Sequence, residues 1–590
     1  MINAAIIVGY LTGIVLLGLY LSRYVKTDND FFLAGRSLNK WVIAATIIAT
    51  DIAAIYIVGP AGVAYKSGVP ILLIGWTGNM IAALSALFFV PRLRRLRITT
   101  ISEILEERYN VWICVLVTVV WVFYYALFAG NSMYVFAVVL APILNVDPDT
   151  VILCVGGGVI LYCFFSGLLA VAYTDVIQTL LIIVGGAIML PLSLKAVGGV
   201  QEFIRQTPPD FFLFWRTDDT YPNYKTLIMF VLLGFPYWCT SQYMLQRCMA
   251  GRTIRDASRG LMLAALFTGS ITLAYILPGI CGTILYPAGQ LAQADSVLVQ
   301  LFQDVLPVGL GGIFIAALLG ANTSHSSALL NSLSTLAIND VYHRFLPGRT
   351  PGHYLWMGRL ATIAGGAVGL AFAFNVDRLG GIIEANLEIM SFFEPPIFVI
   401  VAACLLWRGA SSWGAALAGV GGVAFNAIAA YHGMSAEDRS FIVFPLCIAA
   451  IILGSLVQRR FFQPNAAELQ RTEEFYGRMR GEPVQWGDVR GSLGLLIAAV
   501  SLAGMILCMV YVDLVPRPAN VLVIMGLVAT WVLGLYMAIP MFVSNEPAES
   551  LEPAASTVSD SGISRIIGSG WCWVSAYVAG VLFMLGLYFY

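Results

Sequence analysis

Runs of about 20 apolar residues recur from one end of this chain to the other, a pattern that water-soluble folds do not tolerate. They lie near residues 4–22, 41–65, 69–90, 111–143, 150–168, 175–195, 225–248, 260–286, 309–341, 355–376, 379–407, 412–431, 440–457, 492–512, 519–543 and 571–590. The alternation of polar and apolar residues that marks barrel strands is missing, so the runs read as helices. With 59% hydrophobic and 11% charged residues, the chain is expected to be an all-α polytopic membrane protein with about 14 to 16 transmembrane helices.

The distribution of Lys and Arg orients these spans. The third run leads into PRLRRLR, the seventh into Arg247, Arg252, Arg255 and Arg259, and the ninth into Arg344 and Arg349. NVDPDT at 145–150 and the stretch 288–304 carry neither basic residue. The basic loops are therefore expected in the cytoplasm and the N-terminus outside, in a multi-pass protein of the cell membrane. The first run has neither a basic n-region nor a cleavage site, so it is not expected to be a signal peptide. Ten scattered cysteines, without metal-ligand spacing, read as small buried hydrophobes. A net charge of −1 identifies no partner class. The bilayer is implied, and neither a nucleic-acid partner nor an obligate protein partner is expected. The hydrophilic stretches Gln458–Arg490 and Ser544–Ser569 are too short for a catalytic module. No nucleophile and base pair stands out at depth, so an enzyme is not expected.

Charge and helix breakers inside the runs point to function. Asp51 lies in the run 41–65, which Gly59-Pro60 interrupts again. An ionised side chain at that depth costs at least ~2.5 to 3.5 kcal/mol, and freed backbone carbonyls need partners that lipid lacks. This helix should line a hydrated cavity or an ion site. Asp175 opens the sixth run, and Gly234-Phe235-Pro236 and Glu394-Pro395-Pro396 suggest further breaks. In the ninth run, Ala321, Ser324, Ala328 and Asn331 share one helical face. A carbonyl at 321 and the Ser324 hydroxyl could there meet unwound carbonyls near Asp51 and hold a hard monovalent cation. His325 has two readings: a neutral, hydrogen-bonded packing residue, or a group that titrates during transport. No role is assigned to Glu388.

These residues carry a resemblance. DFFLAGRSLNKW from Asp30, YTDVIQT at 173–179, YWCTSQYMLQRC at 237–248, LPGI at 277–280 and LLNSLSTLAINDVY at 329–342 resemble, in order, the motifs of the sodium/solute symporters. The YWCT string is most similar to the sodium/glucose cotransporter branch. The resemblance runs from about residue 5 to 457 and implies a LeuT-type fold with two five-helix inverted repeats. It divides the chain into a peripheral helix and loop (1–40), repeats at 41–196 and 225–407, peripheral helices (408–457), a cytoplasmic loop (458–491) and additional C-terminal helices (492–590).

The resemblance further implies a sodium site from the carbonyls of Ala49, Ile52 and Ala321 and the hydroxyl of Ser324, with His325 at the position of the last ligand. A further cation site would use Asp175 with Ser324 and Ser327, although its remaining hydroxyl position is Ala328. A substrate pocket and gate would involve Asp51, Tyr56, Tyr237, Trp238, Gln242 and Thr268. Four polar contacts of the sugar carriers are changed: Asp51 replaces Asn, Gly75 Glu, Thr268 Lys and Leu387 Gln. Asp51 is similar instead to the proline-transporter branch, where it could compensate a cation or pair with a substrate ammonium.

The expectation is a secondary active transporter that couples sodium to a small polar organic solute, such as a sugar or polyol, by alternating access. No cofactor is implied beyond the coupling ion. The alternatives are a sodium- or proton-coupled carrier of an amino acid or carboxylate, and a membrane sensor that binds solute without moving it.

Overall fold

The computed structural model describes residues 2–22, 28–165, 168–214, 223–287, 290–291, 293–462, 466–480, 488–510 and 519–543. Among them, 12 helices are long and apolar enough to cross a membrane, or 13 if one bent pair counts as a single span. The expected span 571–590 and the polar stretch 544–569 lie outside the described residues.

Helix α1 (Ile2–Ser22) precedes a broken pair, α2 (Lys40–Asp51) and α3 (Ile55–Ser67), bent by 49°. Four spans complete this first group: α4 (Leu72–Phe88), α5 (Val111–Leu144), α6 (Pro148–Phe165) and α7 (Leu168–Ala196). The second group again opens on a broken pair, α8 (Tyr224–Cys239) and α9 (Gln242–Met249). It continues with α10 (Ile254–Leu285), α11 (Leu310–Leu336), α12 (Pro351–Ala373) and α13 (Ile382–Leu406). Peripheral helices follow: α14 (Ser412–Tyr431), α15 (Ala436–Phe461), α16 (Ala466–Met479), α17 (Val489–Val510) and α18 (Ala519–Phe542).

The two broken pairs start alike. The Asn39 side chain accepts the backbone N–H groups of Trp41 and Val42, and Asn223 accepts those of Lys225 and Thr226. Such caps satisfy donors that a helix start leaves unpaired. Helix α11 lies deepest, with every residue from Phe314 to Leu336 buried, which explains how a segment so rich in hydroxyls avoids lipid.

The breaks differ from those expected from Pro and Gly. Helix α3 runs on through Gly59-Pro60, and α13 through Pro395-Pro396. In the second group the break falls at Thr240-Ser241, beyond Pro236. A proline removes one backbone donor, and packed neighbours can hold the rest of the turn. Gly59 faces Ile382 and Ile383 so closely that a Cβ would sit 2.6 Å from the Ile383 side chain. The chain bends instead where backbone torsions leave the helix, at Ile52 (φ −84°, ψ 57°) and Thr240 (φ −136°, ψ −10°). Asp175 also lies more than a turn inside α7, which begins at Leu168.

The polar loop after α15 contains the amphipathic helix α16, which docks on the body of the protein. Tyr476 donates to the Cys404 carbonyl at 2.8 Å, and Arg478 pairs with Glu107 at 2.5 Å.

Candidate functional site

A cavity opens at the first break. It is lined at one end by Asp51, Tyr56, Tyr237 and Trp238, and it continues past Pro60, Phe230, Thr272 and Ile276. These later residues lie on the halves of α3, α8 and α10 that lead away from the Arg-rich loops. Its space is about 70 Å³, well below the usual size of a small-molecule site, so the cavity is narrow in this arrangement. Towards the Arg-rich side, Tyr243, Gln246 and Arg247 are fully buried and close the path. Trp238 reaches the cavity because residue 78 is glycine: a Cβ there would lie 2.9 Å from its indole nitrogen.

The break leaves carbonyls over. Ile52 N–H closes on Ile48, and the Ala53 and Ala54 carbonyls accept N–H groups from Tyr56, Ile57 and Val58. The Thr50 carbonyl faces His325 Nδ1 at 2.9 Å. A carbonyl only accepts, so Nδ1 carries the hydrogen and the ring is a donor there. Among the described residues, no hydrogen bond ends on the carbonyls of Ala49 and Ile52. Opposite them lie buried Ala321 and Ser324, whose hydroxyl is 3.3 Å from that of Thr50. Unpaired buried carbonyls are rare in folded proteins. Together with hydroxyl oxygens they form the all-oxygen donor set that suits a hard cation.

One turn below, Thr46 donates to Asp175, and Arg247 stands where sequence placed a loop cation. The Arg247 side chain is 0% exposed; Nε donates to Thr46 Oγ1 at 3.0 Å, Nη1 to the Tyr243 carbonyl at 2.5 Å, and Nη2 lies 3.8 Å from Asp175. A guanidinium therefore already faces the carboxylate offered for a further cation. Ser327 donates to the Ser324 carbonyl at 2.9 Å, along its own helix.

Two residues that the resemblance places in the pocket lie outside its lining, and Glu388, to which no role was assigned, finds a partner elsewhere. Gln242 is buried and tied to the segment after α4, accepting Ile101 N–H at 2.8 Å and donating to the Thr99 carbonyl at 3.2 Å. Thr268 donates to Ala264 within α10, and Thr272, one turn on, faces the cavity instead. Glu388 pairs with Arg439 of α15. Gly75 and Leu387 do line the cavity, so its wall there is without the polar groups that the resemblance would supply. Thr46, Thr50 and Thr272 were not singled out by sequence, because a lone threonine in an apolar run usually bonds its own helix.

The model of the sodium:solute symporter family matches residues 31–422. The chain belongs to that family. Within it, the chain is 26% identical over 480 residues to a sodium/glucose cotransporter of Vibrio parahaemolyticus, covering 75% of this chain and 88% of that one. It is 27% identical over 382 residues to the sodium/sialic acid symporter of Proteus mirabilis (strain HI4320), covering 62% of this chain and 76% of the relative. A solved structure of a sodium-coupled sialic acid symporter superposes with a TM-score of 0.70 at 23% identity, covering 79% of this chain and 98% of that chain. The fold is thus the LeuT-like arrangement that the resemblance implied. This symporter is a multi-pass membrane protein and a sodium-coupled solute carrier, not an enzyme.

Proposed function

We propose that this symporter takes a small polar organic solute into the cell with sodium, by alternating exposure of the cavity at Asp51. The carbonyls of Ala49, Ile52 and Ala321 and the hydroxyl of Ser324 hold the ion. The unpaired carbonyls at the first break carry this reading, since an ion there satisfies backbone that no other group among the described residues satisfies. Thr50 offers a further hydroxyl, and His325 braces the break by donating to Thr50. Imidazole thus serves as a support for the site and leaves the ligand set to oxygen.

The relatives' names mention glucose, sialic acid, myo-inositol and monocarboxylates, which supports a small polar organic solute without choosing among these classes. Tyr237 and Trp238 form the floor of the cavity on the Arg-rich side. By the positive-inside asymmetry that side faces the cytoplasm, and the N-terminus lies outside the cell membrane. Sodium binding that orders α2 against α11 lowers the energy of the solute-binding state, so the ion gradient drives solute uptake.

Reconstituted vesicles test this. Uptake of solute should require an inward sodium gradient, and Ser324→Ala should raise the sodium concentration for half-maximal uptake by about tenfold or more, the loss of one ligand being worth ~1.4 kcal/mol. Uptake that follows a pH gradient without sodium, or solute binding without uptake, overturns the reading.

A further inference from the structure

We propose that the solute bears an ammonium group, held by Asp51 beside the aromatic wall of Tyr56, Tyr237 and Trp238, on an otherwise apolar body. This rests on the symport reading and narrows its cargo. Of the sixteen residues lining the cavity, Asp51 alone carries a formal charge, and no Lys, Arg or His is among them. A carboxylate solute would meet a negative charge that no lining side chain offsets. Asp51 is also the last residue of α2, so the negative end of that helix adds to the field at the same point. The opposing positive end, at the start of α3, is less available to an anion. The N–H groups of Tyr56, Ile57 and Val58 are already bonded to Ala53 and Ala54.

Three rings stand around the carboxylate. The Tyr56 and Tyr237 centroids are 6.2 Å apart with planes at 86°, and those of Tyr237 and Trp238 are 5.1 Å apart at 74°. These rings pack edge to face and line the cavity beside the carboxylate, and aromatic surface of this kind attracts an organic cation. Tyr237 donates to Asp51 at 3.0 Å and holds the carboxylate against this wall.

The remaining wall argues against a polyol. Gly75, Ile276, Leu387 and Met390 offer no side-chain hydrogen-bond donor. The Thr272 hydroxyl already donates to Thr268 at 2.8 Å. A sugar's hydroxyls would leave water for surfaces that cannot pair them. A small alkyl or aryl amine matches both ends of the cavity, the charged one at Asp51 and the apolar one beyond it.

Thermal unfolding of the purified full-length protein, in sodium chloride and in potassium chloride, tests the assignment. The probes are ethylammonium, tetramethylammonium, cyclohexylmethylammonium and phenethylammonium, set against cyclohexylmethanol, cyclohexanecarboxylate and D-glucose. Bound ligand raises the midpoint by mass action. At least one ammonium probe should do so in sodium at a concentration where the alcohol, the carboxylate and glucose do not. Asp51→Asn, which keeps the shape of the side chain, should weaken that response by about tenfold or more and leave stabilisation by sodium alone intact. Stabilisation by glucose or the carboxylate at lower concentration than by any ammonium probe overturns the proposal, as does silence of all four. Loss of the sodium response in Asp51→Asn also overturns it, because the charge then serves the ion. Should sodium fail to stabilise the unsubstituted protein, the symport reading falls, a result separate from all of these.

Discussion

At the scale of residues, one contact decides how His325 acts. Its Nδ1–H holds the Thr50 carbonyl, and its ring packs edge-on against Phe128 at 5.0 Å and Tyr243 at 5.6 Å. His325→Ala leaves that carbonyl unpaired at a buried break, which should destabilise the protein by ~1 to 3 kcal/mol and weaken sodium binding. His325→Asn, whose amide can replace the donor, should recover most of both. A pH profile of sodium-driven uptake separates bracing from titration: it should keep its shape in His325→Asn, whereas loss of an inflection would assign the ring a proton-carrying role. A second carboxyl, outside the spans, does carry a pH signature. Burial pushes Asp295 up to about 6, against the Ile382 N–H, which favours its charge; nearby Glu384 raises it and Lys66 lowers it. Its folded form thus binds the proton more tightly than the unfolded form. That contribution to stability is fully present below the usual carboxylate value of 3.8 and is lost as pH rises to about 6. Asp295→Asn should raise the unfolding temperature above pH 6 and lose this advantage toward pH 4, a trend that unfolding curves at stepped pH would reveal or refute.

At the scale of elements, close helix approach depends on single glycines. A Cβ on Gly130 of α5 would lie 2.2 Å from the Gly369 carbonyl of α12, and one on Gly369 would lie 2.6 Å from the Ala126 carbonyl. Backbone meets backbone there, so neither side can yield by rotating a side chain. Gly130→Ala should destabilise the protein by ~1 to 3 kcal/mol. Gly157→Ala, where nothing lies within 4 Å, should be neutral or slightly stabilising, and equal effects from the two would refute this packing argument. Helix existence was legible in sequence because about 20 apolar residues are a bilayer's thickness. The breaks were only half legible. Asp51 marked one correctly, since a charge at depth needs a cavity, but proline misled, because a missing donor is local while a bend needs carbonyls that some other group can satisfy. Arg247 read as a loop cation because its partners, Thr46 and Asp175, are 201 and 72 positions away in the chain. Only the packing of α2, α7 and α9 brings them together. The aromatic wall beside Asp51 was legible as residues, Tyr56, Tyr237 and Trp238, but their edge-to-face packing was not.

At the scale of the whole molecule, the cavity extends from Asp51 along the halves of α3, α8 and α10 away from the Arg-rich loops, so release on the Arg-rich side requires that side to open. The segment between α4 and α5 ties that side shut. Thr100 donates to Asp340 at 2.6 Å and Thr118 at 3.1 Å, and Ser102 donates as well. Asp340 lies in the turn that continues α11, so this end of the tie belongs to the deepest helix. The other end is Gln242 of α9, which brackets Thr99 and Ile101. Separating α9 from α11 must therefore break one set of bonds or the other. Each set is buried, so its members bind strongly while paired and are costly when exposed singly, which makes the closure two-state. Asp340→Asn can still accept from one hydroxyl but loses the charge that draws three. It should populate the open arrangement, seen as faster hydrogen exchange in residues 97–103 and 242–249, by about tenfold for each ~1.4 kcal/mol lost. Sodium bound as proposed, between α2 and α11, should restore part of the protection. Exchange unchanged by Asp340→Asn, with the variant folded and still stabilised by sodium, would show that closure on the Arg-rich side is carried elsewhere.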